Sequence, residues 1–201
     1  MGVTLPIGVL VSGRGTNLQA VLDAIAGGRL DARVVLVASD RPGILALERA
    51  ARAGLPTAVF DEQALGSRAG AHSAMANALR ESGARLVVLA GFARILADVF
   101  FEKLPGVPVI NIHPALLPRF GGRGMLGAKV HEAVLASGEA ESGVTVHRAE
   151  PGKVDEGEIV VQRRVPVLPG DTPETLAARV LAVEHEALIE AIGRFTETPA
   201  H

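Results

Sequence analysis

The first half of the chain alternates short apolar runs with helical stretches, and this alternation limits the possible folds more than any other feature. The run IGVLV at residues 7–11 has the continuous apolar character of a strand buried on both faces of a sheet. Similar runs follow at residues 34–38, 56–60, 86–90 and 107–113, and helical patterns lie between them at residues 18–25, 44–53, 67–82 and 97–104. Strands separated by helices predict a mainly parallel, doubly wound α/β sheet.

The pattern changes after Pro118. Residues 119–127 (RFGGRGMLG) contain too many glycines for a regular element. Beyond them we predict a helix at 129–137, strands at 143–148 and 158–167, and a long helix at 172–195, with a frayed end from Thr196 to His201. No linker, repeat or low-complexity segment interrupts the chain, so residues 1–201 are expected to form a single domain.

Composition excludes several classes of function. The net charge is −2, which gives no basic excess for nucleic acid or an anionic membrane surface. The chain contains no cysteine, so disulfides and thiolate chemistry are excluded. No apolar run approaches the roughly 20 residues that cross a bilayer, and the first residues lack the pattern of a secretory leader. We therefore expect a cytoplasmic protein with small-molecule ligands.

The turn SGRGTN at residues 12–17 joins the first predicted strand to its helix, where backbone amides and the helix dipole hold anions. Leu18 stands where the dinucleotide fingerprint needs a third glycine, and no Gly-Lys-Ser/Thr motif is present. The turn therefore indicates a monophosphate-sized site, or else simply a tight connection. Asp40, after the second strand, could bind the ribose of NAD, but a helix cap or turn residue is the reading we prefer.

Two polar side chains lie at the end of the fifth apolar run, Asn111 and His113. Residues two apart in a strand point to the same face, so they project side by side where Pro114 stops the strand. They indicate either a site or a capped turn. Among the other histidines we interpret His72 as part of a polar helix face and His147 as a packing residue. No HExxH spacing indicates a metal.

A catalytic imidazole usually needs a carboxylate to orient it or stabilise its charge. The predicted loop after the strand at 143–148 offers four candidates, Glu150, Asp155, Glu156 and Glu158. Periodicity does not choose among them.

Taken together, the chain resembles the glycinamide ribonucleotide formyltransferases, a folate-dependent family of purine synthesis. The resemblance runs nearly end to end and is carried by VLVSGRGTNLQA, VVLAGFARIL, VINIHPALLP, GVTVHRAEPGKVDEGEIVVQ and PGDTPETLAARVLAVEHEAL. It implies the formyltransferase fold, with a Rossmann-like half at residues 1–106 that binds the phosphate and a catalytic, folate-binding half at residues 107–201.

The resemblance also implies roles for individual residues. The catalytic residues would be Asn111, His113 and Asp155. The glycinamide ribonucleotide would be held by Gly15, Thr16, Asn17 and, near its amine, Glu184. The folate-side contacts would be Arg68, Ala93, Arg94, Ile95, Leu96, Asn111 and Glu150. The chain departs from the family pattern in two places: the loop from His147 to Asp155 is one residue longer, and residues 120–130 are longer and richer in glycine.

The implied reaction moves a formyl group from 10-formyltetrahydrofolate to the amine of glycinamide ribonucleotide, with no metal and with the enzyme as a monomer or homodimer. The amine is itself the nucleophile. Asn111 and a protonated His113 would stabilise the oxyanion, and Asp155 would assist proton transfer. Formyl-folate hydrolases and methionyl-tRNA formyltransferases share this core, but each normally carries a further domain. A nucleotide-binding redox or regulatory module and a non-catalytic folate-binding protein are the alternatives from other classes.

Overall fold

The computed structural model describes residues 4–196 and contains, within that range, seven strands and six helices. The strands are β1 (Leu5–Val11), β2 (Ala32–Ser39), β3 (Thr57–Val59), β4 (Leu86–Leu89), β5 (Val109–His113), β6 (Glu141–Arg148) and β7 (Ile159–Pro166). The helices are α1 (Thr16–Ala26), α2 (Leu45–Arg52), α3 (Arg68–Glu81), α4 (Asp98–Lys103), α5 (Ala128–Ala136) and α6 (Pro173–Thr196). Every predicted element is present. Helix α6 includes Thr196, and the rest of the stretch expected to fray lies outside the described residues.

All seven strands form one sheet in the order β3-β2-β1-β4-β5-β6-β7. The five strands from β3 to β5 in this order run parallel, and β6 runs antiparallel to both of its neighbours, β5 and β7. This confirms the predicted mainly parallel α/β sheet. From β1 the chain adds β2 and β3 on one side of the sheet and then β4 to β7 on the other. This reversal creates a crevice at the carboxyl ends of β1 and β4. Open α/β sheets bind their ligands at this switch point.

The core lies on both faces of the sheet. All seven residues of β1 are buried, which accounts for the uninterrupted apolar run at its position. Helices α1, α2, α5 and α6 pack their apolar residues on one face, and α3 and α4 cover the other. The side chains at the carboxyl edge of the sheet therefore rest on a rigid support.

Residues 120–127 form turns and bends without a helix or strand, as predicted. Among residues 4–196, no helix combines the length and apolar character needed to span a membrane.

Candidate active site

A cavity of about 570 Å³ opens at the carboxyl edge of the sheet. Its walls come from the segments that follow β1, β4, β5 and β6, together with one face of α6. Both members of the Asn111–His113 pair line this cavity, as expected for residues two apart in a strand. Asn111 is half-buried and His113 is 3% exposed. The pair thus belongs to a concave site and does not cap an exposed turn.

Asp155 is the one acid of the four candidates that contacts this pair. Its Oδ2 lies 3.6 Å from His113 Nδ1, and its Oδ1 lies 3.4 Å from Asn111 Nδ2. The backbone amide of Gly122 donates a hydrogen bond of 3.0 Å to Oδ2.

The other three acids lie away from the pair. Glu150 pairs with Lys153 at 2.6 Å, Glu158 pairs with Arg148 at 3.1 Å, and Glu156 is exposed. The fold therefore makes the choice that the sequence leaves open.

The charge states of His113 and Asp155 follow from their surroundings. Burial lowers the pKa of His113, although the charge of Asp155 and a bond to the Phe120 carbonyl oppose this effect. Burial disfavours ionisation of Asp155, but bonds from His147 and the Gly122 amide and the nearby His113 outweigh it and lower its pKa. Near neutral pH the site consequently holds a neutral imidazole beside a carboxylate.

The orientation of the His113 ring is set by a backbone oxygen. His113 Nε2 lies 2.8 Å from the carbonyl oxygen of Phe120. Because a carbonyl oxygen only accepts, Nε2 carries the hydrogen of this bond, which leaves Nδ1 directed at Asp155. The bond thus selects the tautomer in which Nδ1 can gain or lose a proton.

The glycine-rich segment builds this part of the site. Phe120 has a φ of 58°, a left-handed conformation that carries the chain back over His113. A Cβ on Gly121 would lie 2.6 Å from Leu117 Cδ2 and 3.1 Å from Asp155 Cβ, so only glycine fits there without displacement. The first residues of this segment therefore hold both His113 and Asp155 in place.

The residues just before the glycine-rich segment are held by Thr145, which pairs with His113 across β5 and β6. Its hydroxyl donates to the Ala115 carbonyl at 2.7 Å. It also accepts from the Leu117 amide at 3.1 Å and from Gln162 Nε2 at 2.9 Å. One donor and two acceptor positions are all that a hydroxyl has, so Thr145 is fully satisfied.

His147 is buried, as expected for a packing residue, but it also lines the cavity beside Asn111 and Asp155. Its Nε2 lies 3.2 Å from Asn111 Nδ2 and 3.4 Å from Asp155 Oδ1. The signal was the alternation in VTVH, where Thr145 and His147 occupy one face of β6 and two valines occupy the other. Sequence alone does not reveal that β6 lies directly beside β5.

The glycine turn lies across the cavity from this group. Thr16 and Asn17, the first residues of α1, line the cavity. Gly15 has a structural role. Its φ is 73°, and a Cβ at this position would lie 2.7 Å from Ala46 Cβ. Gly15 thus allows α2 to pack against the turn.

Glu184 on α6 also lines the cavity and faces this turn. Its Oε2 lies 3.4 Å from Asn17 Nδ2. Burial raises the pKa of Glu184, and the Asn17 bond opposes this only in part. The turn and the acid together form one part of the cavity wall, where the N-terminus of α1 lies beside a carboxyl group.

Residues 91–96 and Glu150 line the cavity on the remaining side. Arg68 does not. It lies in a second cavity of about 590 Å³, together with Asp40, Arg41 and His72. Arg94 lines both cavities. Most of the predicted site residues therefore line one cavity, whereas Arg68 lines the second cavity, which shares Arg94 with the first.

Asp40 lies in the bend after β2, which agrees with the interpretation as a turn residue, while the N-cap of α2 is Ile44. Asp40 accepts a 2.6 Å bond from Ser12 and pairs with Arg41 and Arg94, so it is not free to bind a ribose. The NAD alternative therefore loses its support. His72 does not lie on a polar helix face. It is 2% exposed, and its Nδ1 accepts a 2.9 Å bond from the Ala97 amide.

Within the described residues, no three His, Asp or Glu side chains form a group suited to a metal ion.

Comparison with known proteins gives one consistent family. Residues 6–192 match a protein-family model described as formyl transferase. A phosphoribosylglycinamide formyltransferase from Haemophilus influenzae is 35% identical over 95% of this chain and 87% of its own length. A trifunctional purine biosynthetic protein from Drosophila pseudoobscura pseudoobscura is 43% identical over 92% of this chain. The chain spans only 13% of that larger relative.

Solved structures agree. A glycinamide ribonucleotide transformylase from Symbiobacterium toebii superposes with a TM-score of 0.90 and 43% identity, covering 98% of this chain and 90% of the other. A phosphoribosylglycinamide formyltransferase from Coxiella burnetii gives a TM-score of 0.86 and 40% identity, with 96% and 87% covered.

Proposed function

Because the chain belongs to the formyl transferase family, we propose that it transfers the formyl group of 10-formyltetrahydrofolate to the amine of glycinamide ribonucleotide. The products are formylglycinamide ribonucleotide and tetrahydrofolate, as in de novo purine synthesis. The observation that carries the proposal is the group Asn111, His113 and Asp155, which lines the same cavity as the N-terminus of α1. A formyl transfer without a covalent enzyme intermediate needs these parts and no protein nucleophile.

The nucleotide binds at the turn before α1. Its phosphate meets the backbone amides at the helix start and the polar side chains of Thr16 and Asn17. This places the glycinamide amine toward Glu184 and the formyl carbon toward Asn111. Glu184 accepts a hydrogen bond from the amine and so keeps its lone pair directed at that carbon.

The formyl donor binds on the other side of the cavity. Residues 91–96 offer apolar side chains and a backbone edge for a flat pterin ring, and Glu150 lies at the mouth. Arg68 and Arg94 lie in the direction of the second cavity, where the rest of the donor extends. In this arrangement the formyl group points at Asn111 and His113.

The chemical step begins when the amine attacks the formyl carbon and forms a carbon–nitrogen bond. Negative charge develops on the formyl oxygen, to which Asn111 Nδ2 donates a hydrogen bond and His113 Nδ1 donates a second one once it has taken up a proton. Asp155, kept ionised by its lowered pKa, orients the water through which the attacking amine passes a proton to His113 Nδ1. That proton passes from His113 to the donor nitrogen, whose bond to carbon then breaks.

His113 starts neutral because burial lowers its pKa. It takes up a proton only as the oxyanion forms, when the added negative charge and Asp155 together stabilise the imidazolium. His113 is therefore not an imidazolium before the reaction begins, and its ring takes part in the proton transfer.

The test is incubation of the protein with glycinamide ribonucleotide and 10-formyltetrahydrofolate, followed by mass detection of the formylated product. Absence of product with the wild-type chain would refute the function. For the site, Asn111→Ala, His113→Ala and Asp155→Asn are each expected to lower turnover by roughly 10²–10³, as measured for other oxyanion donors. Near-normal turnover in all three would refute the assignment of these residues.

The division into a phosphate-binding half at 1–106 and a catalytic half at 107–201, the cytoplasmic location and a monomer or homodimer remain parts of this proposal. Sedimentation of the purified chain measures the oligomeric state directly.

A further inference from the structure

Residues 91–97 form neither a helix nor a strand, and residues 91–96 line the donor side of the active-site cavity. The backbone of such a segment needs partners from elsewhere in the fold if its shape is to be fixed. Its contacts to the sheet include the Gly91 carbonyl, which accepts from the Ser12 amide at 3.2 Å. Beyond this point, the segment is held by side chains of other elements.

Three side chains supply these contacts. Ser12 Oγ, just after β1, accepts from the Ala93 amide at 2.9 Å. Asp40, just after β2, accepts from Arg94 Nε at 3.3 Å. His72 on α3 accepts from the Ala97 amide at 2.9 Å, and its ring lies 6.3 Å from that of Phe92.

The contacts of Ser12 and Asp40 are linked, and the side chains of Asp40 and His72 are buried. The Ser12 hydroxyl donates to Asp40 Oδ1 at 2.6 Å, so it can accept from Ala93 with its remaining lone pairs. The side chain of Asp40 is 7% exposed, and His72 is 2% exposed. A hydrogen bond in such surroundings is not exchanged readily for one to water. None of the three residues lines the cavity that contains Asn111 and His113.

We infer that Asp40 and His72 are positioning residues that hold residues 91–97 in the shape that binds the formyl donor. This inference rests on the proposed function. The segment contributes six consecutive residues to the cavity wall, from Gly91 to Leu96. Without its supports the segment samples other shapes, and binding the donor must then order it again, which weakens donor affinity and leaves the chemistry unchanged.

His72 gives the sharper experiment, because one atom makes the contact. His72→Leu removes the Nδ1 acceptor but retains an apolar side chain in the buried position. His72→Asn places a carbonyl oxygen near the position of Nδ1 and can accept from Ala97. We expect the KM for 10-formyltetrahydrofolate to rise about three- to tenfold in His72→Leu, the range of one ordinary hydrogen bond. His72→Asn should return to within about twofold of wild type, while kcat and the KM for glycinamide ribonucleotide stay nearly constant in both.

Asp40→Ala is expected to raise the same KM by about tenfold or more, since it removes a charged contact together with the Ser12 link. The matched control is Glu81→Gln. Glu81 is an exposed acid on α3, the helix that carries His72, and it lines neither cavity. Its substitution removes an equal charge without removing a support of the segment, so the donor KM should not change.

Hydrogen exchange at the Ala97 amide gives a second measurement that does not depend on turnover. We expect faster exchange in His72→Leu than in wild type and in His72→Asn. Equal exchange rates, an unchanged donor KM in His72→Leu and Asp40→Ala, or equal rises in both KM values would each overturn the inference. Failure of the wild-type chain to formylate glycinamide ribonucleotide would instead overturn the proposed function, and the Ala97 exchange rates would still decide whether His72 holds the segment.

Discussion

The hydroxyl of Thr145 holds the chain between His113 and the Phe120 carbonyl, and its removal should be costly. Thr145→Val preserves the side-chain shape but abolishes three hydrogen bonds. Gln162 Nε2 retains its 3.1 Å bond to the Leu117 carbonyl. The Ala115 carbonyl and the Leu117 amide, both on buried residues, lose the Thr145 partner.

The magnitude follows from these two backbone groups. An unsatisfied buried donor or acceptor costs about 1–3 kcal/mol, so the two groups left by Thr145→Val should lower the free energy of unfolding by about 2–6 kcal/mol. Thr145→Ser keeps the hydroxyl and loses one buried methyl group, which costs about 1 kcal/mol. Ser142 provides the control, because it lies on the same strand, is 1% exposed, and its hydroxyl has no partner among the described residues. Ser142→Ala removes an unpaired hydroxyl, so it should leave stability unchanged or raise it by up to about 1–3 kcal/mol.

Urea unfolding followed by far-UV circular dichroism measures these differences, since the chain has no tryptophan for fluorescence. The turnover of folded Thr145→Val should also fall, because the Phe120 carbonyl is no longer held against His113 Nε2. If Thr145→Val proves as stable as Thr145→Ser, the hydroxyl does not hold this segment and the reasoning is wrong.

Other expected outcomes concern the same site. Gly121→Ala places a Cβ 3.1 Å from that of Asp155 and should lower kcat about tenfold or more, whereas Gly193→Ala, with open space around it on α6, should leave kcat unchanged. Glu184→Gln should raise the free energy of unfolding at pH 7, because burial raises the pKa of Glu184. In the wild type, the contribution of Glu184 to stability is complete below pH 4.5 and is lost as the pH rises through the folded-state pKa. The same variant should raise the KM for glycinamide ribonucleotide about tenfold, and an unchanged KM would argue against contact with the amine. His113 has a lowered pKa in the folded state, so stability should fall as pH decreases below about 6.5, and His113→Gln should flatten that part of a pH series of urea midpoints.

The strand that carries Asn111 and His113 shows how far local reasoning reaches. Alternation along a strand is a property of the backbone, so two residues in the pattern N-I-H must share a face wherever the strand lies. The same holds for the apolar run of β1 and for the turn at Gly15, whose neighbours suffice to indicate a strand, a tight turn and a helix start. These features depend on contacts within a few residues, and the sequence by itself determined them.

The choice of Asp155, the inclusion of His147 and the roles of Asp40 and His72 depend on tertiary structure instead. Asp155 lies 44 positions from Asn111 along the chain, and it reaches that side chain because β6 pairs with β5 and residues 120–122 fold back over the loop. His72 and Ala97 belong to different elements that meet only when α3 and the segment before α4 pack on the same face of the sheet. The sequence tells which hydrogen bonds a polar residue can donate or accept. Only the packed fold decides which partner it has, because burial of the core brings together residues that are distant along the chain.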